Sequence, residues 1–328
     1  MQELTTQQIQ SFSTRIEAIR AQIGRQIIGQ REVVDALITA LIVGGNVLLE
    51  GVPGLGKTRL VRTIGDVFKL PFSRIQFTPD LMPADITGTS IITKGEGGNE
   101  FRFQPGPLFA SIVLADEINR ATPKTQSALL EAMQEHSVTV GGETRKLPAP
   151  YFVLATQNPI EQEGTYPLPE AQLDRFLFKV VVEFPTMEEL TDIVALTVGS
   201  GGEPAQPVSD GDELLQMREI ARQVPIARAV MAYALQLVVN THPELPQSPA
   251  AVRKYLRFGA SPRAAQALIG ASRVRALMMG RYNVSFEDVK ALAPLCLRHR
   301  LALNFEGLAD GQTPDSVIAA MIDQTPRE

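Results

Sequence analysis

Tryptophan is absent from the 328 residues, tyrosine occurs five times, and aromatic residues make up only 6% of the chain. Binding nucleic acid by stacking bases on aromatic platforms therefore has little to work with. Basic residues are not in excess either: 31 Lys and Arg against 36 Asp and Glu leave a formal net charge of −5, which argues against a surface built for nonspecific polyanion binding. Cys296 stands alone, so an internal disulfide is excluded and a reducing compartment fits. With Leu292, Leu295 and Leu297 around it, Cys296 is expected in the core. His136, His242 and His299 lie far apart and show no metal-ligand spacing. No apolar run nears the ~18 residues of a membrane span, and the polar first residues contain no signal-peptide core. The expectation is a cytoplasmic protein, long enough for one large domain or two smaller ones.

What the chain does contain is organised around residues 46–68, NVLLEGVPGLGKTRLVRTIGDVF. Val47 to Leu49 predict a short buried strand. Gly51, Val52, Pro53, Gly54, Leu55 and Gly56 form a turn that opens a helix at Lys57-Thr58. Leu60, Val61, Ile64, Val67 and Phe68 recur at helical spacing, so that helix buries one stripe against a sheet. Glycines let successive backbone N–H groups curl into a nest, and the new helix adds the positive end of its dipole. Such a nest fits nucleotide phosphates, with Lys57 reaching the β- and γ-phosphates and the Thr58 hydroxyl available to Mg²⁺.

In chain order, Ile9, Phe12, Ile16, Ile19 and Ile23 predict a first amphipathic helix, and Arg31 to Val43 a second that Gly44-Gly45 ends. Pro71 is expected to stop the helix after the glycine-rich turn. Arg74 to Thr78 read as a strand. Thr89 to Ile92 and Glu100 to Phe103 flank a Gly-rich turn and predict a hairpin with Phe101 and Phe103 on one face. Gln104 to Leu108, with two prolines, is expected to lack regular structure. Ser111 to Ala115 read as a buried strand ending in Asp116-Glu117, and Thr122-Pro123 as the start of a helix with a threonine cap. Ser137 to Val140 and Glu143 to Leu147 make a second hairpin across Gly141-Gly142. Tyr151 to Ala155, running into Thr156-Gln157-Asn158-Pro159, and Phe178 to Glu183 are further strands. This alternation predicts a doubly wound α/β domain. Pro185 to Val198 suggest a connecting helix, 199–212 a linker, and everything from Glu213 onward reads as helix, an all-α second domain hinged to the first.

Asp116 and Glu117 fall at the carboxyl end of a buried strand, the edge where α/β sheets bind ligands. Beside a phosphate loop, Asp116 has the place for Mg²⁺ and Glu117 the place to polarise an attacking water. Asn158 closes the neighbouring strand, where an amide can hydrogen-bond both that water and the γ-phosphate. Arg263 follows Ser261-Pro262 in the first turn of a helix, where the dipole disfavours a cation. Either an acidic partner or a bound phosphate would relieve it.

The ordered strings GVPGLGKT, LADE, ATQN, LDRF and ASPR resemble those of AAA+ ATPases. FQPGPLF, LADEINRA and NPIEQEGTYPLPEAQLDRF narrow the resemblance to the MoxR family, and RFGASPRAAQAL and LRHRL carry it into the helical part. The resemblance implies an αβα P-loop core with a parallel sheet at residues 1–185, a connecting helix and linker at 186–212, and a smaller all-α lid at 213–328. It implies that Ile28 and Gly29 meet adenine, that Gly51 to Thr58 are the Walker A loop and Asp116-Glu117 Walker B, and that Asn158 and Arg263 are the two sensors. Arg175 matches the arginine finger, which acts on the nucleotide of a neighbouring subunit. The hairpins near 89–103 and 137–147 resemble the two inserts of that clade. ATP and Mg²⁺ are thus expected, as is a homo-oligomeric ring, a hexamer. The resemblance further implies a remodelling chaperone with a von Willebrand A-domain partner, acting in metal or cofactor insertion on a client the sequence does not name. A magnesium-chelatase-like motor is the alternative. A DNA-translocating helicase, for which Arg145 and Lys146 on the second hairpin give some support, is disfavoured by the acidity and the scarce aromatics.

Overall fold

The computed structural model describes residues 4–95, 98–158, 164–198 and 203–327. The tip of the first hairpin at Glu96-Gly97, the Pro159 after Asn158 and the first part of the linker (199–202) lie outside the described residues.

Two helices precede the sheet: α1 (Thr6–Gly24) and α2 (Arg31–Val43). Thr5 and Gln8 close a reciprocal capping box at the start of α1, and the five predicted residues from Ile9 to Ile23 are its buried stripe. Then follow β1 (Val47–Glu50), α3 (Lys57–Val67), β2 (Phe72–Gln76), α4 (Pro83–Thr87), the hairpin β3 (Gly88–Gly95) and β4 (Gly98–Pro105), β5 (Ile112–Asp116) and α5 (Pro123–Glu135). The hairpin β6 (Ser137–Val140) and β7 (Glu143–Lys146), β8 (Phe152–Gln157), α6 (Glu170–Leu173) and β9 (Phe178–Val181) complete the α/β half. Five strands form one parallel sheet in the order β2-β5-β8-β1-β9. The inner strands β5, β8 and β1 are almost continuously apolar because helices cover both faces, whereas the edge strand β2 carries Ser73, Arg74 and Gln76.

The second half contains α7 (Met187–Val198), α8 (Gly211–Arg222), α9 (Arg228–Val239), α10 (Ala250–Tyr255), β10 (Leu256–Phe258), α11 (Pro262–Met278), α12 (Phe286–Leu297), β11 (Ala302–Leu303), α13 (Phe305–Ala309) and α14 (Pro314–Gln324). It is not purely helical, since β10 and β11 pair antiparallel. Two strands this short show no alternation that a sequence could reveal. One hydrophobic cluster runs from α1 and α2 through α3 and one face of the sheet into α8, α9, α11, α12 and α14. A second, smaller cluster fills the opposite face of the sheet against α5.

Several boundaries differ from the sequence reading. The helix α3 stops at Val67, before Pro71: Lys69 turns left-handed (φ 50°) and Leu70 N–H donates back to Gly65 O at 2.9 Å. Strand β2 sits at 72–76 rather than 74–78, aligned by Phe72 opposite Ile112. Gln104 and Pro105 belong to β4, where Thr89 and Gly88 pair with them; proline is tolerated because it ends an edge strand. Thr122 stands at the N-cap of α5 without a side-chain cap bond; its carbonyl takes the Thr125 and Gln126 N–H groups instead. Helix α12 ends at Leu297, although the sequence from Glu213 onward reads as helix throughout.

Candidate active site

The phosphate loop leaves β1 between the two strands that flank it, so it opens at the carboxyl edge of the sheet. Gly51 is buried under the end of β9: a β-carbon there would stand 2.8 Å from Val182 O. Gly54 and Gly56 instead need left-handed backbone (φ 88° and 73°), and nothing approaches within 4 Å of where their β-carbons would be. The loop is thus a cradle that is backed by backbone and open above the two glycines. Val52, Pro53 and Leu55 complete the turn, and Lys57-Thr58 begin α3. Lys57 Nζ donates to Gly51 O at 2.6 Å, folded over its own loop. Partial burial lowers its pKa, while Asp116 and Glu117 oppose that shift.

Asp116 ends β5, and Glu117 follows with left-handed backbone (φ 58°), which turns the two carboxylates to different partners. Asp116 Oδ1 accepts from Thr156 Oγ1 at 2.6 Å and Oδ2 from Arg74 Nη2 at 2.6 Å. Glu117 Oε2 accepts from Gln76 Nε2 at 2.8 Å and Arg120 Nη1 at 2.9 Å. Thr156 Oγ1 also receives the Glu117 N–H at 2.8 Å, tying β5 to β8. Asn158, buried, comes one residue after β8 at the same edge. Lys57, Thr58, Asp116, Glu117 and Asn158 therefore share one side of the sheet, as the sequence predicts. Arg74, Gln76, Arg120 and Thr156 were not foreseen. For Gln76, Arg120 and Thr156 the signal is a polar residue at, or just beyond, the carboxyl end of a parallel strand; Arg74, in the middle of β2, carries no such signal.

An open, positively flanked cradle suits a triphosphate. The Thr58 hydroxyl and the Asp116 carboxylate are hard oxygen donors that fit Mg²⁺. Ile28 and Gly29 lie where the chain turns from α1 into α2. Gln30 Nε2 reaches Leu55 O at 3.4 Å, joining this turn to the loop. Glu189 of α7 covers Gly29 so closely that a β-carbon there would sit 2.1 Å from its Oε1.

Arg175 and Arg263 are elsewhere. Leu177 N–H donates to Asn46 O at 2.7 Å, so 174–177 lie beside the start of β1, whereas Gly51 follows its end. Five extended residues separate these two edges by about 16 Å. Arg175 Nη1 donates to Leu130 O of α5 at 3.1 Å. Ser261 caps α11, accepting from Arg263 N at 3.2 Å, and its hydroxyl also reaches both oxygens of Asp174 at 2.8 and 2.9 Å. Arg263 Nη1 stands 3.5 Å from Asp174 Oδ2. Of the two remedies open to Arg263, this fold supplies the acid. Arg263 is thus held to the residue next to Arg175, in the segment beside the start of β1 rather than its end.

Among the described residues no group of His, Cys, Asp and Glu could hold a metal ion by itself, and no helix is long and apolar enough to cross a membrane. Cys296 is buried, and desolvation raises its thiol to about 12, so it carries no chemistry at neutral pH. Arg145 stacks over the Phe103 ring at 4.1 Å and pairs with Glu143, joining the two hairpins.

Comparison with known proteins agrees with this geometry. Residues 46–178 match the family described as ATPases associated with various cellular activities, and residues 249–321 match the lid domain of such ATPases. Chaperone MoxR1 of Mycobacterium tuberculosis is 46% identical over 90% of this chain and 78% of its own. Protein MoxR of Methylorubrum extorquens is 31% identical over 86% of each. The crystal structure of a candidate ATPase from Cytophaga hutchinsonii superposes with a TM-score of 0.90 at 38% identity, covering 97% of this chain and 96% of that one.

Proposed function

The chain belongs to the MoxR family of AAA+ ATPases, and on that premise we propose that it hydrolyses ATP within a closed ring of identical chains, as a chaperone that remodels a partner protein. The observation that carries the ring is the separation of the two arginines from their own loop. The segment that carries Arg175 lies beside the start of β1, about 16 Å of strand from the loop at its end, and Asp174 holds Arg263 to that segment, at the edge a neighbouring subunit would meet in such a ring. Lys57 leaves the Gly51 carbonyl to hold the β- and γ-phosphates, and the loop N–H groups cradle them. Mg²⁺, held by Thr58 and Asp116, would neutralise phosphate charge. Glu117 turns from Arg120 and Gln76 to take a proton from the attacking water, which Asn158 orients. The neighbour's Arg175 offsets the charge that develops on the transferred phosphoryl group, a contribution of about 10³–10⁵ in rate for arginines supplied in trans.

Replacing Arg175 with Ala tests this reading: ATP binding persists and turnover falls to background, whereas near-normal turnover, above all from monomers, overturns it. The family relationship also supports a von Willebrand A-domain partner and a role in metal or cofactor maturation. The probe is a Glu117→Gln ring held in ATP, whose blocked turnover traps the client. Recovery of a porphyrin-binding complex would move the reading to a magnesium-chelatase-like motor. DNA-stimulated turnover with steep salt dependence would move it to a helicase, but Arg145, the best support for that idea, is already engaged by Phe103 and Glu143.

A further inference from the structure

The string LRHRL, residues 297–301, takes no part in the chemistry above, yet it contains the most heavily bonded side chain near the trans-acting arginines. Arg300 leaves the end of α12 with its side chain only 3% exposed. Its Nε donates to Asp174 Oδ1 at 2.8 Å, one terminal nitrogen to Asp174 O at 3.2 Å and Phe176 O at 2.6 Å, and the other to Leu177 O at 3.2 Å and to Cys296 O. All five guanidinium donors are used. Three of them end on the backbone carbonyls of residues 174, 176 and 177, on both sides of Arg175. His299 Nε2 adds a bond to Phe176 O at 3.0 Å. The Asp174 carboxylate, held by Arg300 on one side, receives Ser261 and Arg263 from α11 on the other.

We infer that Asp174 and Arg300 are positioning residues that fix Arg175 and Arg263 as a single unit presented to the adjacent nucleotide; the inference rests on the trans reading proposed above. An arginine serves where a lysine could not, because only a planar fork reaches four carbonyls and a carboxylate at once. The physical need is accuracy. A guanidinium that stabilises developing charge must be held to a fraction of an ångström, and a displacement near 1 Å costs about 100-fold in rate. Among the described residues the Arg175 side chain has one bond, to Leu130 O, so its aim depends on how its backbone is pinned. Because one carboxylate anchors both the core segment and the N-terminus of α11, the helical half and the finger move together.

The test uses full-length Asp174→Asn and Arg300→Lys, each assayed alone and in equal mixture with Lys57→Ala. Alone, each keeps the ATP KM within about twofold while kcat drops about 100-fold. Lys57→Ala chains cannot hold ATP productively but present intact Arg175 and Arg263, so the mixture regains turnover at about a quarter of the junctions of a randomly mixed ring. Arg175→Ala mixed with Lys57→Ala is the reference. Asp174→Asn keeps the shape of the side chain and guards against a misfolded Arg300→Lys. Unchanged kcat, or failure of both variants to be rescued while the reference recovers, overturns the positioning role. Failure of the reference as well overturns the trans reading beneath it.

Discussion

Lys57, Glu117 and Arg300 differ in how far each could be read from the chain alone. Lys57 and Thr58 follow the glycines directly, and Asp116-Glu117 end an apolar strand, so local spacing suffices to assign them. The pair Asp174–Arg300 is separated by 126 residues, and no periodicity links two such positions. Arg74 is likewise 42 residues from the Asp116 it neutralises. His299 shows the same limit and yields a prediction. It is buried, donates through Nε2 to Phe176 O, and its Nδ1 finds no hydrogen-bond partner among the described residues. Burial, with the positive charge of Arg300 beside it, holds its pKa well below the ordinary 6.5. On acidification the unfolded chain therefore takes up a proton that the folded chain refuses. This contribution to stability is complete above about pH 6.5 and declines below it, by about 1.4 kcal/mol per pH unit. Melting curves between pH 5 and 8 should show His299→Gln losing one proton's worth of this acid sensitivity; an unchanged slope would mean that the histidine titrates freely.

At the scale of elements, helices with a clean apolar stripe and long strands are legible, and what fails is set by backbone geometry and neighbours. Helix α2 was expected at Arg31 to Val43 and is found there. Helix α3 ends early because Lys69 adopts a left-handed turn, which no residue type announces. Strand β4 includes Pro105 because the close approach of Gly88 and Gly106 at the hairpin base leaves room for nothing else. A β-carbon on Gly106 would lie 2.5 Å from both Gly88 N and Ile86 O. Gly106→Ala should therefore part β3 from β4 at their base while leaving the sheet intact. Hydrogen exchange would report it as lost protection confined to 88–105; protection equal to that of the parent chain would show that the backbone can yield there.

For the whole molecule, the sequence suggests two domains on a hinge, whereas the buried cluster passes unbroken from the sheet through α2 into α8, α11 and α12. The linker also returns to the core, where Val208 and Ser209 N–H groups bond to Val67 O. Both halves should melt as one transition, and Ile38→Ala, in the middle of α2 and fully buried, should lower the stability of that single transition by about 2–5 kcal/mol. Two separated calorimetric transitions would contradict a continuous core. In the ring proposed above, the junction between subunits is then the centre of the mechanism. A high-resolution structure of Glu117→Gln rings loaded with ATP measures that junction directly. Arg175 of one chain is expected about 3 Å from the γ-phosphate bound on the next; a γ-phosphate met by its own chain's Arg175, or by no arginine of a neighbour, would overturn the trans arrangement.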